Sequence, residues 1–392
     1  MVQEPQSFHE FMPDKVWKWK ILEEKIEKVL SLHNFQEIRL SVLQDSKVLQ
    51  DGITALIQGQ EADSAMKGVL SLSLPDDQLS LLSLRPEGTI SVLHHTARIT
   101  NTEEIHRFYY SGPMFRKINN QQQMEFYQLG VELLGSESIL SENEVISLGM
   151  KLCKTLGLNE VRLDLNSYGC FTCREPFFTD LHKYLEEHQS EYCSSCYREL
   201  SANPFSQVHC SDPDCKKSLQ DGPHIYDYLC KSCKADFNKV KNIQTNLGNQ
   251  YKVNPKLNKN FAYYNKTVFD FIAKHNGKEI IIGGGGRYDY LSALITGKRI
   301  PAVGFYLNLD SIFELMDSRK LFEENDPEFT VYICAESPNL EMMILQIVQE
   351  LHSQQIKTII SPECRPIEKE IAFAKKKDCP IMLILRDDNI RE

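Results

Sequence analysis

The sequence predicts an α+β protein with a cysteine-rich inserted domain and a small α/β domain after its core. Three observations predict it. Two strand-like segments, HRFYYSGPMFR and MEFYQLGVELLG, follow one another across a polar turn. From about Cys170 to Gln250 cysteines cluster, and charged helical pieces alternate with Asn-Pro and Asp-Pro breaks. After the polar linker SRKLFEENDPE the chain reads strand, helix, strand, helix, strand, the pattern of a small parallel sheet. These divisions place the two parts of the core at residues 1–169 and 251–318, the insertion at 170–250 and the last domain at 326–392.

The elements follow in order. KVWKWKILEEKIEKVLSL (Lys15 to Leu32) repeats apolar residues at helical spacing and predicts an amphipathic helix packed on a sheet. QEIRLSVL and LLSLRP predict strands, and ISVLHHTARI a helix. KINNQQQ, between the paired strands, lacks apolar positions and predicts a mobile hairpin tip. ENEVISLGMKLCKTLGL predicts a helix and VRLDLNSYG a strand leading into the insertion. Strand-like text resumes at FAYYNKTVFDFIAKH, KEIIIGGGGRYD and AVGFYLNLDSIFELM. The last domain takes FTVYICAE, KTIISP and PIMLILRDD as strands, with helices over Leu340 to Ser353 and Ile367 to Lys377.

Bulk properties narrow the class. A length of 392 residues predicts two or three domains with cores of their own. A net charge of −10 argues against general nucleic-acid binding but leaves room for a local basic groove. No stretch is long and apolar enough to span a bilayer, and Met1 to Glu27 holds no signal-peptide core. Twelve cysteines, several in Cys-x-x-Cys pairs, point to a reducing compartment and to metal binding rather than disulfides. The expected location is the cytoplasm, with no membrane partner.

Polar residues on predicted core strands carry the chemistry. Glu87 and Thr89 follow LLSLR, Arg116 ends its strand, and Gln128 and Glu132 stand four apart. On a strand that spacing puts the last two on one face. Burying them is costly unless they pair or hold a polar ligand. Two carboxylates and a glutamine suit an ammonium or imidazolium group, and Arg116 suits a carboxylate or phosphate. Structural salt bridges are the competing reading. The run Gly283 to Asp289 fits either a phosphate-cradling turn or a tight β-turn, without the spacing of a nucleotide fingerprint. Tyr263 and Tyr264, adjacent on a predicted strand, are expected to be one core and one surface residue. Cys193, Cys196, Cys230 and Cys233 form two Cys-x-x-Cys pairs able to offer four thiolates to a structural zinc ion. Cys210 and Cys215 are rival ligands, and a set of reduced buried thiols is the alternative.

Taken in order, LRPEGT, YYSGPMFR, FYQLGVELLG, NFAYYNKTVFD, GGGGRYD and AVGFYLNL resemble the histidyl-tRNA synthetase family, of the class II aminoacyl-tRNA synthetases, across nearly the whole chain. The resemblance implies an antiparallel sheet core flanked by helices, with a histidine site beside an ATP site. It places Glu87 and Thr89 near the α-amino group and imidazole, and Gln128 and Glu132 at the amino group. It makes Tyr263, Tyr264 and Tyr288 pocket-lining residues and Arg116 the grip on the substrate carboxylate and α-phosphate. Departures fall on the ATP side. Lys259 stands where the family carries an arginine at the α-phosphate, keeping charge but not the planar fork. Ile118 replaces the acidic residue that meets adenine, and Ser311 the arginine that clamps the γ-phosphate. QEIRLSVLQ lacks the usual proline and glutamate of the dimer-forming motif. The text ending RDDNIRE is expected to lack the last strand and helix of the anticodon reader.

A kept ligand site beside an eroded ATP site resembles the regulatory subunits of ATP phosphoribosyltransferase. The expectation is therefore a homodimeric, histidine-binding protein with no catalytic residues of its own. It would partner the short catalytic phosphoribosyltransferase subunit in histidine biosynthesis. Those subunits usually read Arg-Pro-Asp-Met-Thr at LRPEGT and lack the insertion. The alternative is a divergent histidine–tRNA ligase, which would need ATP, magnesium and tRNA.

Overall fold

The computed structural model describes residues 10–54, 66, 68–72, 82–99, 104–117, 124–202, 204–205, 210–259, 263–323 and 329–386. Two compact units divide the chain, Met1–Phe322 and Glu323–Glu392.

In the first unit, helix α1 (Pro13–Leu32) starts with proline at its first position, where the missing N–H costs nothing. It buries Trp19, Leu22, Ile26, Val29 and Leu30, the stripe its sequence spacing set. The predicted strand QEIRLSVL divides. Only β1 (Gln36–Glu37) reaches the main sheet, parallel to β4, while β2 (Leu43–Asp45) pairs antiparallel with β3 (Leu82–Leu84) in a separate ribbon. Between them the Arg85 guanidinium donates to the carbonyls of Leu40 and, on the sheet strand His106–Phe115, Pro113, and so bridges the two. Helix α2 (Ser46–Ile53) is capped by Asp45, and α3 (Thr89–Ile99) follows LRPEG.

The main sheet has eight strands in the order β1-β4-β5-β10-β9-β8-β6-β7. β4 (His106–Phe115) and β5 (Glu125–Leu134) form the predicted hairpin, and the intervening residues 118–123, Ile118 among them, lie outside the described residues. Helix α4 (Ile139–Thr155) then leads to β6 (Arg162–Ser167). The insertion follows as helices α5 (Phe171–Glu187), α6 (Ser194–Ala202), α7 (Pro213–Asp221) and α8 (Lys231–Asn246). The chain rejoins the sheet through β7 (Tyr251–Val253), β8 (Asn265–His275) and β9 (Lys278–Arg287). Asn276 and Gly277, both at positive φ, make the two-residue turn between β8 and β9, as an Asn-Gly pair favours. A short helix α9 (Leu291–Thr296), strand β10 (Ala302–Asn308) and helix α10 (Leu309–Ser318) complete the unit. All pairings in this sheet are antiparallel except those of the short strands β1 and β7.

Alternation along the strands separates two faces. Leu129, Val131 and Leu133 of β5, Val303, Phe305 and Leu307 of β10, and Phe269 and Phe271 of β8 join α1, α4 and α10 in the largest core. Gln128, Glu132, Gly304, Tyr306 and Asp270 face the other way. The glycine run is not a turn. Gly283 to Gly286 lie inside β9, between β8 and β10.

The second unit holds a parallel three-stranded sheet, β12-β11-β13, with β11 (Thr330–Ala335) central, β12 (Lys357–Ile360) and β13 (Ile381–Leu385). Helix α11 (Glu341–Ser353) packs with Val331 and Ile333; α12 (Ile367–Lys376) packs with Tyr332 and Cys334. The α+β class, the antiparallel core and the small parallel domain are thus as expected. None of the described helices is long and apolar enough to cross a membrane.

Candidate functional site

The polar face of the sheet opens into a cleft of about 80 Å³, room for a few waters or a small polar solute. β5 supplies Gln128 and Glu132, the start of α3 supplies Thr89 with Glu87 just before it, and Arg116 follows β4. Tyr263 and Tyr264 come from the turn before β8, and Tyr288 follows β9. All eight residues expected to hold histidine therefore line one cavity.

Glu132 is the centre of the arrangement. One carboxylate oxygen accepts from Thr89 Oγ1 at 2.8 Å and the other from the Tyr288 hydroxyl. Tyr110, fully enclosed between Gly88 and Gly130, stands 3.5 Å from the same carboxylate. Burial pushes the Glu132 carboxyl up to about 8, against these hydrogen bonds, which pull it down. Glu87 is also raised by burial, and its two oxygens accept the backbone N–H groups of Thr89 and Ile90 at 2.7 and 2.9 Å. It caps α3 as well as facing the cleft. The Arg116 guanidinium lies over the Phe126 ring, 5.3 Å from its centroid, with no ion pair among the described residues. Its charge stabilises the ionised Glu87.

Tyr263 and Tyr264 correct the expectation of one core and one surface residue, because both are buried. They precede β8 rather than alternate along it, and with Tyr288 they form a ring cluster with centroids 4.8 to 6.2 Å apart. Glycines make the space. A Cβ on Gly304 would overlap the Glu132 carboxylate and approach the Tyr288 hydroxyl to 2.8 Å. One on Gly284 would overlap Asp270 and come within 2.5 Å of Lys259 Nζ.

The ATP-side positions differ among themselves. Lys259 lines the cleft, but its ammonium is bound to Asp270 and to the Phe269 carbonyl at 2.8 Å. Ser311 lies at the start of α10, its N–H capped by Asn308 Oδ1 at 2.9 Å, and is not among the residues lining the cleft. Beside it Asp310 accepts the Tyr127 backbone N–H at 2.8 Å. Sequence reasoning missed Asp270 and Tyr306. A lone carboxylate inside the apolar run TVFDFIA was the available signal for the first. It also missed Arg287, fully buried and held by Glu142 and Asp289, a structural network behind the site.

The cysteine expectation is corrected in its pairing. Cys193, Cys196, Cys230 and Cys233 do not share a site. Cys170, Cys173, Cys230 and Cys233 form one cluster and Cys193, Cys196, Cys210 and Cys215 another, with thiols within 4.8 Å of one another in each. The first partner of Cys230 and Cys233 is Cys170-x-x-Cys173, brought beside them because α5 and α8 start at the same end of the insertion.

A mostly antiparallel sheet with an acid- and tyrosine-lined cleft on one face defines the α+β class of this protein. The chain belongs to the histidyl-tRNA synthetase family, whose profile matches residues 7–173 and 216–312. It is 30% identical over 399 residues to the histidine–tRNA ligase of Caldicellulosiruptor bescii, covering all of this chain and 92% of that one. The histidine–tRNA ligase of Halothermothrix orenii is also 30% identical, over 99% of this chain and 92% of its own. Among solved structures, apo histidyl-tRNA synthetase from S. aureus shares the fold with a TM-score of 0.77 at 23% identity, covering 99% of this chain and 92% of that one. An ATP phosphoribosyltransferase regulatory subunit/histidyl-tRNA synthetase from Bacillus halodurans C shares it at 0.68 and 18% identity, over 98% of both.

Proposed function

We propose that the cleft binds free histidine and that the chain acts as a histidine–tRNA ligase. The observation that carries histidine binding is the balance of charge around one small cavity. Two buried carboxylates, Glu87 and Glu132, suit the ammonium and imidazole groups, and the Arg116 guanidinium, which lines the same cleft, suits the carboxylate. The ligase reading is supported by relatives of that name that align over the whole chain and over 92% of their own length. It brings with it ATP, magnesium and tRNA as partners.

A second reading is favoured by a specific observation. Lys259 is held by Asp270 and the Phe269 carbonyl, and Ser311 carries no charge, so two cations of the ATP side are spent or missing. Losing one such fixed group typically costs about 10²–10³ in rate. On this reading the protein is a histidine-binding homodimer that regulates the short catalytic subunit of ATP phosphoribosyltransferase.

Histidine titration by calorimetry and histidine-dependent ATP–pyrophosphate exchange test both. Exchange together with binding supports the ligase. Binding without exchange, and co-purification with the short phosphoribosyltransferase, supports the regulatory subunit. Glu132→Ala is expected to weaken histidine binding at least about tenfold, a loss of ~1.4 kcal/mol. An unchanged affinity in that variant removes the pocket assignment and both readings with it.

A further inference from the structure

Eight cysteines lie between positions 170 and 233, and the fold sorts them into two nested foursomes. The outer set joins the start of the insertion to the start of α8, and the inner set lies within it. In each, the four sulfurs stand within 4.8 Å of one another. Cys170 and Cys173 are 3.6 Å apart, and Cys193 and Cys210 are 3.8 Å apart, sulfur to sulfur. A disulfide needs a sulfur separation of about 2.05 Å, and these cysteines are free. Four thiolates at about 2.3 Å from one tetrahedral zinc ion are about 3.8 Å from each other. The spacing is that of a mononuclear site. The four thiolates of an iron–sulfur cluster are spread over two or four iron atoms, so as a set they stand wider apart.

The local backbone is arranged for thiolates as well. Cys170 and Cys230 are the N-cap residues of α5 and α8, Cys193 immediately precedes α6, and Cys215 lies in the first turns of α7. Backbone N–H groups point at sulfur: Cys230 N–H donates to Cys173 Sγ at 3.2 Å, Cys233 N–H to Cys230 Sγ and Cys196 N–H to Cys193 Sγ, both at 3.5 Å. Such bonds orient sulfur ligands and stabilise their negative charge. Each set provides four protein ligands and leaves no open position for substrate, the mark of a structural ion.

We propose that the insertion holds two structural zinc ions, one on Cys170, Cys173, Cys230 and Cys233 and the other on Cys193, Cys196, Cys210 and Cys215. The outer ion closes the base of the insertion onto the core. The inner ion fastens α6 and α7, both of nine residues, which have little apolar surface to bury.

The test is metal analysis and zinc-edge X-ray absorption on the full-length protein, purified without chelator. Two zinc ions per chain are expected, each with four sulfur neighbours at about 2.3 Å. Cys173→Ser with Cys233→Ser and, separately, Cys196→Ser with Cys215→Ser are each expected to lower the content to one. Should a variant unfold the whole insertion and lose both ions, the wild-type count and sulfur shell still decide the matter. One ion or none per wild-type chain, a shell containing nitrogen or oxygen, or iron in place of zinc overturns the proposal.

Discussion

Gly304 and Glu132 stand opposite one another on β10 and β5, and the absence of a side chain at the first leaves room for the carboxylate of the second. Burial raises that carboxyl to about 8 from an ordinary 4.5. A group whose folded value lies above its unfolded one favours the fold fully below pH 4.5, and that contribution is lost as pH rises through about 8. Glu132→Gln, a neutral isostere, escapes the loss. In histidine-free buffer its melting temperature is expected to rise relative to wild type between pH 5 and pH 8.5. The expected gain is at least about 2 °C, the lower end of what 1 kcal/mol produces in domains of about 150–250 residues. A pH-independent difference contradicts the assignment. Lys259 and Asp270 make the second residue-scale case, with side chains 8% exposed on both sides. Lys259→Met strands a buried carboxylate and is expected to lower stability by about 3–5 kcal/mol in denaturant unfolding. Adding Asp270→Leu is expected to recover most of it.

At the level of elements, the insertion is tied to the cleft by a short path. Arg174, next to Cys173 on α5, donates to the Tyr264 carbonyl and, at 3.3 Å, to that of Tyr168. The Tyr168 hydroxyl in turn accepts the Lys259 backbone N–H at 2.6 Å. Any movement of the start of α5 therefore reaches a tyrosine and a lysine that line the pocket. Cys173→Ser with Cys233→Ser is accordingly expected to weaken histidine binding several-fold, while Cys196→Ser with Cys215→Ser leaves it near wild type. Calorimetric titration of the two variants measures the contrast, and equal effects would break the link. The sheet elements were legible in the sequence where alternation ran uninterrupted, as in FYQLGVELL, where Gln128 and Glu132 declared a shared face. QEIRLSVL was not legible as two strands, because its two ends pair with different strands, β4 and β3, that are distant in the sequence.

For the whole molecule, the two units carry separate buried clusters, one set around the eight-stranded sheet and one around β11. Units with separate cores unfold separately unless their interface is large. Differential scanning calorimetry of the full chain is expected to resolve more than one transition, with histidine raising only the one that belongs to Met1–Phe322. A single transition with equal calorimetric and van't Hoff enthalpies would show the units to be cooperative.

The sequence by itself determined the α+β class, the hairpin of β4 and β5, the parallel last domain and the shared face of Gln128 and Glu132. Those features rest on local periodicity and on the short spacing of polar groups within single strands. Tertiary structure alone decided the pairing of the cysteines, the burial of both Tyr263 and Tyr264, the role of the glycines inside β9 and the capture of Lys259 by Asp270. Each joins residues from different elements or depends on the space between them, and neither distance nor free volume is written in a linear order of residues.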